Sequence, residues 1–252
     1  MPSIQGLDRV RVISCILLSA LVLTGCGTAY VTPGAGVSIH DISDGDVKES
    51  FETKPVSPFP ARIAVVRVQQ AGYYSYCNRG YGNGRFSVVT TRDIESDEDY
   101  QHIAALPKVA GVATVNQLLL PTNLNSVRDL RLAVAGLHAD LLLVYTINTS
   151  FNIKGADLGP LAVVTLGFLP DKEAMVTSTA SAALFDVRTG YIYALAESTC
   201  QESRIASVWS TQQAIDSTRL ETEKKAFAKM LGEFDKAWKQ TLDEYDREPT
   251  VQ

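Results

Sequence analysis

Residues 140–147, Asp-Leu-Leu-Leu-Val-Tyr-Thr-Ile, constrain the fold of this chain more than any other stretch. A continuous apolar run of this kind is typical of a strand buried inside a sheet. Just before it, Asn125-Ser126 predicts a helix start, and apolar side chains then recur at helical spacing, at Val127, Leu130, Val134 and Leu137. A helix followed at once by a buried strand is half of a crossover unit, so we expect an α/β protein.

Two earlier segments are also expected to be strands. Residues 62–69 and 86–91 are dense in β-branched side chains. Residues 109–120 are ambiguous, because their apolar positions fit either a short strand or the start of a helix, and Pro121 ends the segment.

The last third of the chain predicts a hairpin and a long helix. Residues 177–187 and 191–199 flank a turn in which Gly190 supplies a positive φ and Asp186 accepts backbone N–H groups. An apolar stripe from Leu220 to Tyr245 predicts an amphipathic C-terminal helix. Together these elements predict the α/β (α+β) class, with a mixed sheet and helices packed mainly on one face.

A short sequence motif resembles one found in periplasmic α/β domains. His138-Ala139-Asp140 leads directly into Leu141-Leu-Leu-Val-Tyr145, and an Asp-x-x-Thr-Gly hairpin follows at Asp186, Thr189 and Gly190. In element order, residues 61–200 are similar to the N-terminal domain of the TolB protein and to the curli-secretion-channel lipoproteins. The resemblance implies a fold and not a pore, because residues 158–169 lack the alternating pattern of membrane-spanning hairpins.

The N-terminus has the pattern of a bacterial lipoprotein signal. Arg9 and Arg11 precede an apolar segment at residues 12–23, which is shorter than the roughly 20 residues needed to span a bilayer core. Leu23-Thr24-Gly25-Cys26 then places a cysteine after small residues. The pattern predicts removal of residues 1–25 and acylation of Cys26, which would anchor the mature chain in a membrane. An ordinary secretory signal without lipidation is the alternative.

The residues after Cys26 suggest a location and a domain organisation. Gly27 rather than Asp follows the cysteine, and by resemblance to the enteric sorting rule this favours the outer membrane, facing the periplasm, over the inner membrane. Residues 26–60 are rich in Gly, Ser, Pro and Asp and predict a flexible tether. We expect a single α/β domain at residues 61–245 and a disordered tail at residues 246–252.

Composition excludes some classes of protein. The formal charge of −5 gives no electrostatic footprint for nucleic acid. Hydrophobic residues make up 46% of the chain, which indicates a folded body rather than a disordered one.

Two cysteines remain once the signal and the lipidated residue are set aside. Cys15 leaves with the signal, so Cys77 and Cys200 are the thiols of the mature domain. In an oxidising compartment the two are expected to form a disulfide, and two separate thiols are the alternative. We expect no metal and no cofactor, because no Cys or His lies at ligand spacing.

The sequence shows no catalytic motif. A Gly-x-Ser-x-Gly elbow is absent, and the histidines are isolated at His40, His102 and His138. The Gly80-Tyr-Gly-Asn-Gly84 stretch lacks the Lys-Ser/Thr ending of a phosphate loop. We therefore expect a protein that is not an enzyme.

The loop after the first strand is the candidate binding surface. Its aromatic and basic side chains offer flat amphipathic area and hydrogen-bond donors for a protein or glycan: Tyr73, Tyr74, Tyr76, Arg79, Tyr81 and Arg85. The alternative is a long hairpin tip whose tyrosines pack back on the sheet.

Two function classes follow from these observations. The first is a lipid-anchored, non-catalytic envelope protein that binds another envelope protein or assembles with itself. The second is a hydrolase that acts on cell-wall or lipid material. A polar cluster in a concave pocket would favour the hydrolase, and an exposed tyrosine loop would favour the binding protein.

Overall fold

The structure is a computed structural model that describes residues 29–31, 35–39, 47–153, 156–157, 163–165, 173–205 and 212–247. The predicted signal, Cys26, His40 and residues 248–252 of the predicted tail lie outside the described residues. The strands are β1 (Ala29–Val31), β2 (Ala61–Gln70), β3 (Asn83–Gly84), β4 (Phe86–Val89), β5 (Val109–Thr114), β6 (Asn123–Leu124), β7 (Leu141–Ile153), β8 (Ala156–Asp157), β9 (Val163–Thr165), β10 (Glu173–Asp186) and β11 (Ile192–Ile205).

The helices are α1 (Val47–Glu52), α2 (Asp97–Ala104), α3 (Val127–Ala135) and α4 (Gln212–Tyr245), and a 3-10 helix spans Gln117–Leu119. Serine residues begin two of them. At both helix starts an aspartate at the third helical position accepts from the serine backbone N–H, Asp99 Oδ2 from Ser96 at 2.7 Å and Asp129 Oδ2 from Ser126 at 3.0 Å. At α2 the Ser96 hydroxyl also accepts from the Asp99 N–H at 3.2 Å, which completes a capping box. The helix start expected at Asn125-Ser126 is therefore confirmed.

A seven-stranded mixed sheet forms the centre of the domain, with the main order β11-β10-β7-β2-β4. β7 is parallel to β2, with Val65 opposite Leu143, and antiparallel to β10, with Tyr145 opposite Ala182. Because parallel neighbours cannot be joined by a tight turn, the chain crosses over between them through helices. This architecture, with its C-terminal hairpin and long helix, confirms the predicted fold class.

Two strands share one edge of β2. β5 runs parallel to its first half, with Val65 opposite Thr114, whereas β4 runs antiparallel to its second half, with Arg67 opposite Val89. The C-terminal ends of β4 and β5 therefore meet beside residues 65–67. The ambiguous stretch at residues 109–120 becomes a strand followed by the 3-10 helix.

Helices cover both faces of the sheet, and two of the three larger ones lie on the same face. α4 and α2 pack on one face, which we call the α4 face, and bury Phe227, Met230, Phe234 and Trp238 against alternate residues of β2, β7 and β10. α3 packs on the other face through Val127, Leu130 and Val134. The side chains of β2 contribute alternately to the two faces, because successive side chains of a strand point to opposite sides of the sheet.

The hairpin turn has the predicted chemistry. Asp186 Oδ1 accepts hydrogen bonds from the backbone N–H groups of Arg188 at 2.8 Å and Thr189 at 3.0 Å. Gly190 has a φ of +83°, the left-handed conformation that favours glycine. The predictions for Asp186 and Gly190 are therefore confirmed.

The second oxygen of Asp186 binds the chain just before β2. Asp186 Oδ2 accepts from the backbone N–H groups of Val56 and Ser57, each at 2.9 Å. The Ser57 hydroxyl and the Tyr193 hydroxyl donate to the same oxygen at 2.8 and 3.1 Å. The buried Asp186 carboxylate thus accepts hydrogen bonds on both oxygens. It holds residues 56–57, which we call the entry segment, against the hairpin.

Other parts of the predicted tether also contact the domain. β1 pairs with β9. Val37 donates its backbone N–H to Thr146 Oγ1 at 3.1 Å, and Gln70 N–H donates to the Ala35 carbonyl at 3.2 Å. β1 and β9 form a separate two-stranded sheet, whereas residues 35–37 lie against β2 and β7 of the central sheet.

Candidate functional site

The predicted recognition loop, residues 71–85, is folded back on itself between β2 and β4. Tyr74 and Arg79 form an antiparallel bridge, and the Ser75 N–H donates to the Asn78 carbonyl at 2.8 Å. From Tyr73 to Tyr76 the side chains are alternately buried and exposed. This is the period of an extended strand, so neighbouring tyrosines point to opposite sides.

Tyr73 and Asn78 fix this loop to the domain. Tyr73 is 3% exposed, and its hydroxyl accepts from Arg67 Nη2 at 3.2 Å. Asn78 Nδ2 donates to Asp93 Oδ2 at 2.6 Å, while Arg67 Nη1 donates to Asp93 Oδ1 at 2.8 Å. The ion pair of Arg67 and Asp93 therefore fixes the loop at two points, Tyr73 and Asn78.

The loop also carries three exposed side chains, Tyr74, Tyr76 and Arg79, which we call the tyrosine cluster. Tyr74 and Tyr76 are 51% and 49% exposed. The Arg79 guanidinium lies over the Tyr74 ring, with Cζ 5.5 Å from its centroid. Tyrosine and arginine are enriched at protein interfaces, and here they are presented by an ordered backbone.

The other three predicted contact residues lie elsewhere. Tyr73 is part of the core, so its predicted place on the surface is wrong. Tyr81 is half-buried, packs against the core on the α3 side, and donates its hydroxyl to the Leu120 carbonyl at 3.4 Å. Arg85 is exposed, on the arm that leads into β4. The alternative of tyrosines that pack back on the sheet is thus correct for Tyr73 and, in part, for Tyr81.

The backbone of this loop requires a glycine at position 84. Gly84 has a φ of +119°, and a Cβ there would overlap the Leu124 carbonyl oxygen. The close approach allows β3 to pair with β6. A side chain at position 84 would therefore displace one of the two strands.

The predicted disulfide between Cys77 and Cys200 is wrong, because both cysteines are free. Cys77 is exposed in the loop that joins β2 to β4, whereas Cys200 is buried in β11 against α4. β10 and β7 lie between β11 and β2, so these strands are about 14 Å apart at the usual strand spacing. A disulfide needs Cα atoms within roughly 7 Å.

A buried charge network lies under the loop on the α4 face. Arg67 Nη2 lies 3.7 Å from Glu223 Oε2, which also accepts from Arg219 Nη1 at 2.6 Å. Arg219 Nε donates to Asp216 Oδ1 at 2.9 Å, and Thr149 Oγ1 donates to Glu223 Oε1 at 2.7 Å. The sequence prediction missed this network, although an arginine inside the apolar strand at residues 62–69 was a signal of it.

The environment of Arg67 keeps it charged. Burial alone would lower its pKa, but Tyr73, Tyr145, Glu223 and Asp93 outweigh that effect and raise the pKa above its ordinary value. The pKa of Tyr73 is also raised, chiefly by burial and against the opposing effect of Arg67. The loop therefore rests on a charged guanidinium and a neutral phenol at physiological pH.

Nothing in the described residues points to catalysis. His102 Nε2 lies 2.9 Å from Asp235 Oδ2 on the surface, and His138 is exposed, with a φ of +53° at the end of α3. Across the same residues, no group of three His, Cys, Asp or Glu side chains could hold a metal ion. Of the helices described, none has the length and apolar content needed to cross a membrane.

Comparisons with known proteins give no family. No family model matches the chain, and no curated protein matches its sequence. Among solved structures, the chain is similar to the PelC dodecamer from Paraburkholderia phytofirmans at 14% identity and a TM-score of 0.25, over 69% of this chain and 92% of that chain. A likeness at this TM-score carries no argument about fold or function.

Proposed function

We propose that this chain is a lipid-anchored, non-catalytic protein of the cell envelope that acts as a binding or assembly module. Cys26 carries the lipid, and Tyr74, Tyr76 and Arg79 contact the partner, which is another envelope protein or a second copy of the chain. The protein is anchored in the outer membrane and faces the periplasm.

One observation carries the binding function. The tyrosine cluster is exposed, yet it stands on the buried Tyr73 and on the ion pair of Arg67 with Asp93, which is 2.8 Å long. A rigid base lowers the entropy that the loop loses on binding. Aromatic side chains that are exposed and ordered before binding are typical of an interface rather than of a core.

The anchor rests on the sequence around Cys26, and the periplasmic location rests on Gly27 and on the resemblance to the TolB and curli-secretion-channel domains. The mixed sheet, with its crossover and its Asp186–Gly190 turn, has the element order on which that resemblance depends. Several acyl chains on one residue would make membrane attachment effectively permanent.

Metabolic labelling with a palmitate analogue tests the anchor. We expect the wild-type chain to be labelled and to sediment with membranes, and Cys26→Ala to lose both properties. Cys77→Ala is the matched control, because Cys77 is the exposed thiol of the domain. Equal labelling of the wild type and Cys26→Ala would contradict the proposal, as would loss of label in Cys77→Ala alone.

Crosslinking of the protein in native membranes, followed by its purification, tests the binding surface. We expect Tyr74→Ser combined with Tyr76→Ser to reduce partner capture about tenfold or more, since exposed aromatic anchors of an interface contribute more than about 1 kcal/mol each. The melting temperature should change little, because both rings are half-exposed.

Leu132→Ser is the control for this experiment, because Leu132 is 64% exposed on α3, on the opposite face of the sheet from α4. It should capture the partner as the wild type does. Unchanged capture by the double tyrosine variant would show that the tyrosine cluster is not the contact surface.

A further inference from the structure

β11 forms one edge of the central sheet, and the two edges of the sheet differ. At the β4 edge the tyrosine loop supplies a further partner, because the Tyr81 N–H donates to the Val88 carbonyl at 2.7 Å and the Val88 N–H donates to the Tyr81 carbonyl at 2.9 Å. β11 pairs with β10 along one side, and no described strand pairs with its other side, which we call the open edge. Natural proteins usually shorten such an edge, cover it, or place Lys or Pro in it. β11 is 14 residues long and contains neither Lys nor Pro.

The open edge carries the backbone groups of the odd-numbered residues of β11. The Asp186 N–H donates to the Tyr191 carbonyl at 2.8 Å, so Asp186 and alternate residues of β10 direct their backbone groups toward β11. These even-numbered residues lie opposite even-numbered residues of β11, as Ala180 lies opposite Ser198. Because the direction of the backbone groups alternates along a strand, the N–H and C=O groups of the odd-numbered residues from 195 to 203 point away from β10. All of these residues are exposed.

A groove lies on each side of the open edge. On the α4 face, residues 192–195 of β11 and Ala237, Thr241 and Glu244 of α4 line a groove of about 330 Å³. On the other face, residues 195–197 of β11 and residues 37–39 line a groove of about 550 Å³. Leu195 lines both grooves and is 64% exposed. A strand added to this edge would direct its side chains alternately toward the two grooves.

The position of α4 leaves space for a further strand. Glu223 of α4 accepts from Thr149 of β7, which is two strands in from the open edge. Trp238 donates its Nε1–H to the Pro107 carbonyl at 3.0 Å, on the side of α4 that faces α2. The helix is therefore fixed over the inner strands, and the groove between it and residues 192–195 remains open.

Two β11 strands match each other when they pair antiparallel about the middle of the strand. With the twofold axis at residue 198 or 199, Glu197 and Glu202 both lie opposite uncharged residues of the partner strand, whereas an axis at either glutamate would place two carboxylates opposite each other. The odd-numbered residues of the two strands would then exchange about eight to ten backbone hydrogen bonds. A typical protein interface has roughly ten, so this edge alone supplies the number that a stable dimer needs.

We propose that two copies of this chain pair through their β11 strands, antiparallel about a twofold axis near Ser198 and Thr199, so that the two central sheets become one continuous sheet. A second copy offers an open edge of the same length, and a symmetric pair covers both edges at once. The pairing uses none of the residues of the tyrosine cluster. It is therefore independent of the partner surface proposed above.

Cysteine crosslinking in native membranes tests the pairing. Ser198→Cys is introduced into a chain in which Cys77 and Cys200 are replaced by Ala, and the membranes are treated with a bismaleimide that has a two-carbon spacer. The two Cα atoms of residue 198 would lie about 4.5 Å apart with the axis at residue 198, and about 8 Å apart with the axis at residue 199. We expect a species of twice the chain mass on a denaturing gel. Thr179→Cys in the same background is the matched control, because Thr179 lies on β10, and its two copies would be at least about 14 Å apart.

Two variants of Thr199 link the dimer to the backbone of the open edge. Thr199→Pro removes an N–H that points away from β10, a position at which an edge strand tolerates proline. Each copy of the dimer would lose a hydrogen bond, so we expect dimerisation to weaken about tenfold or more, measured by sedimentation of the purified full chain in detergent. Thr199→Ala is the matched control. Like the proline variant it loses the hydroxyl that bonds to Thr179 at 2.8 Å, but it keeps the N–H and should dimerise as the wild type does.

Four outcomes would overturn the proposal: a wild-type chain that sediments as a monomer, equal crosslinking at positions 198 and 179, equal dimerisation of the two Thr199 variants, or a Ser198→Cys adduct with a different protein, which would mean that a foreign strand occupies the edge. Crosslinking at position 198 that persists when Tyr74 and Tyr76 are replaced by Ser, and that is lost when Thr199→Pro is added, would establish the pairing.

Discussion

Replacing Asp186 with Asn is expected to lower the free energy of unfolding by about 3–4 kcal/mol. The two oxygens of Asp186 accept hydrogen bonds from the turn and from the entry segment at Val56 and Ser57. An amide has a single acceptor oxygen, so its NH₂ group would face backbone N–H donors in a buried site. Urea denaturation measures the loss. Asp243→Asn, an exposed change on α4, is the control and should leave the midpoint unchanged.

The effect of Asp186 also predicts a pH dependence. Burial raises the pKa of this carboxyl, but hydrogen bonds from Val56, Thr189, Ser57 and Arg188 outweigh burial and bring the pKa below its ordinary value of 3.8. A group with a lowered pKa in the folded state stabilises fully above its ordinary pKa, and the stabilisation is lost as the pH falls through the folded pKa. The difference between the wild type and Asp186→Asn should therefore be constant near neutral pH and shrink below about pH 3.8. A difference that is the same at pH 7 and in strong acid would contradict this.

Glu223→Gln is expected to destabilise the domain by about 3–5 kcal/mol, because it leaves two buried guanidinium groups without their shared carboxylate. Glu223 Oε2 lies 2.6 Å from Arg219 Nη1 and 3.7 Å from Arg67 Nη2. The loss should appear in urea denaturation and as a lower melting temperature. It should also loosen the tyrosine loop, since Arg67 holds Tyr73 and Asp93.

Glu221→Gln is the matched control for Glu223. Glu221 lies two residues earlier on α4, and pairs at the surface with Lys225 at 2.8 Å. Exposed ion pairs contribute little to stability, so the midpoint of unfolding should hardly move. Equal effects of the two substitutions would mean that the buried network does not stabilise the fold more than a surface pair does.

The elements with a local pattern were predictable from the sequence, and those that depend on distant partners were not. The strand at residues 140–147 and the turn at Asp186 and Gly190 follow from side chains that are neighbours in sequence. Residues 109–120 stayed ambiguous, because the choice of a strand depends on parallel pairing with β2, some fifty residues away. The pairing of Cys77 with Cys200 failed for the same reason, since it depends on strand order.

The candidate sites were predictable only in part. The richness of the loop in tyrosine identified the segment, but the buried Tyr73 and the exposed Tyr74 are neighbours in sequence. The alternation of an extended strand, already visible in Tyr73-Tyr74-Ser75-Tyr76, would have separated them.

The position of α4 in the chain has a consequence for synthesis. α4 lies C-terminal to all the strands that it covers, so during translation these strands leave the ribosome before residues 212–245 exist. At about 5–20 residues per second, the nascent sheet would expose an apolar face for seconds, a surface that chaperones recognise. A premature stop codon before residue 223 would shorten α4 and would also remove Glu223, so that Arg67 would keep its ion pair with Asp93 but lose its second carboxylate.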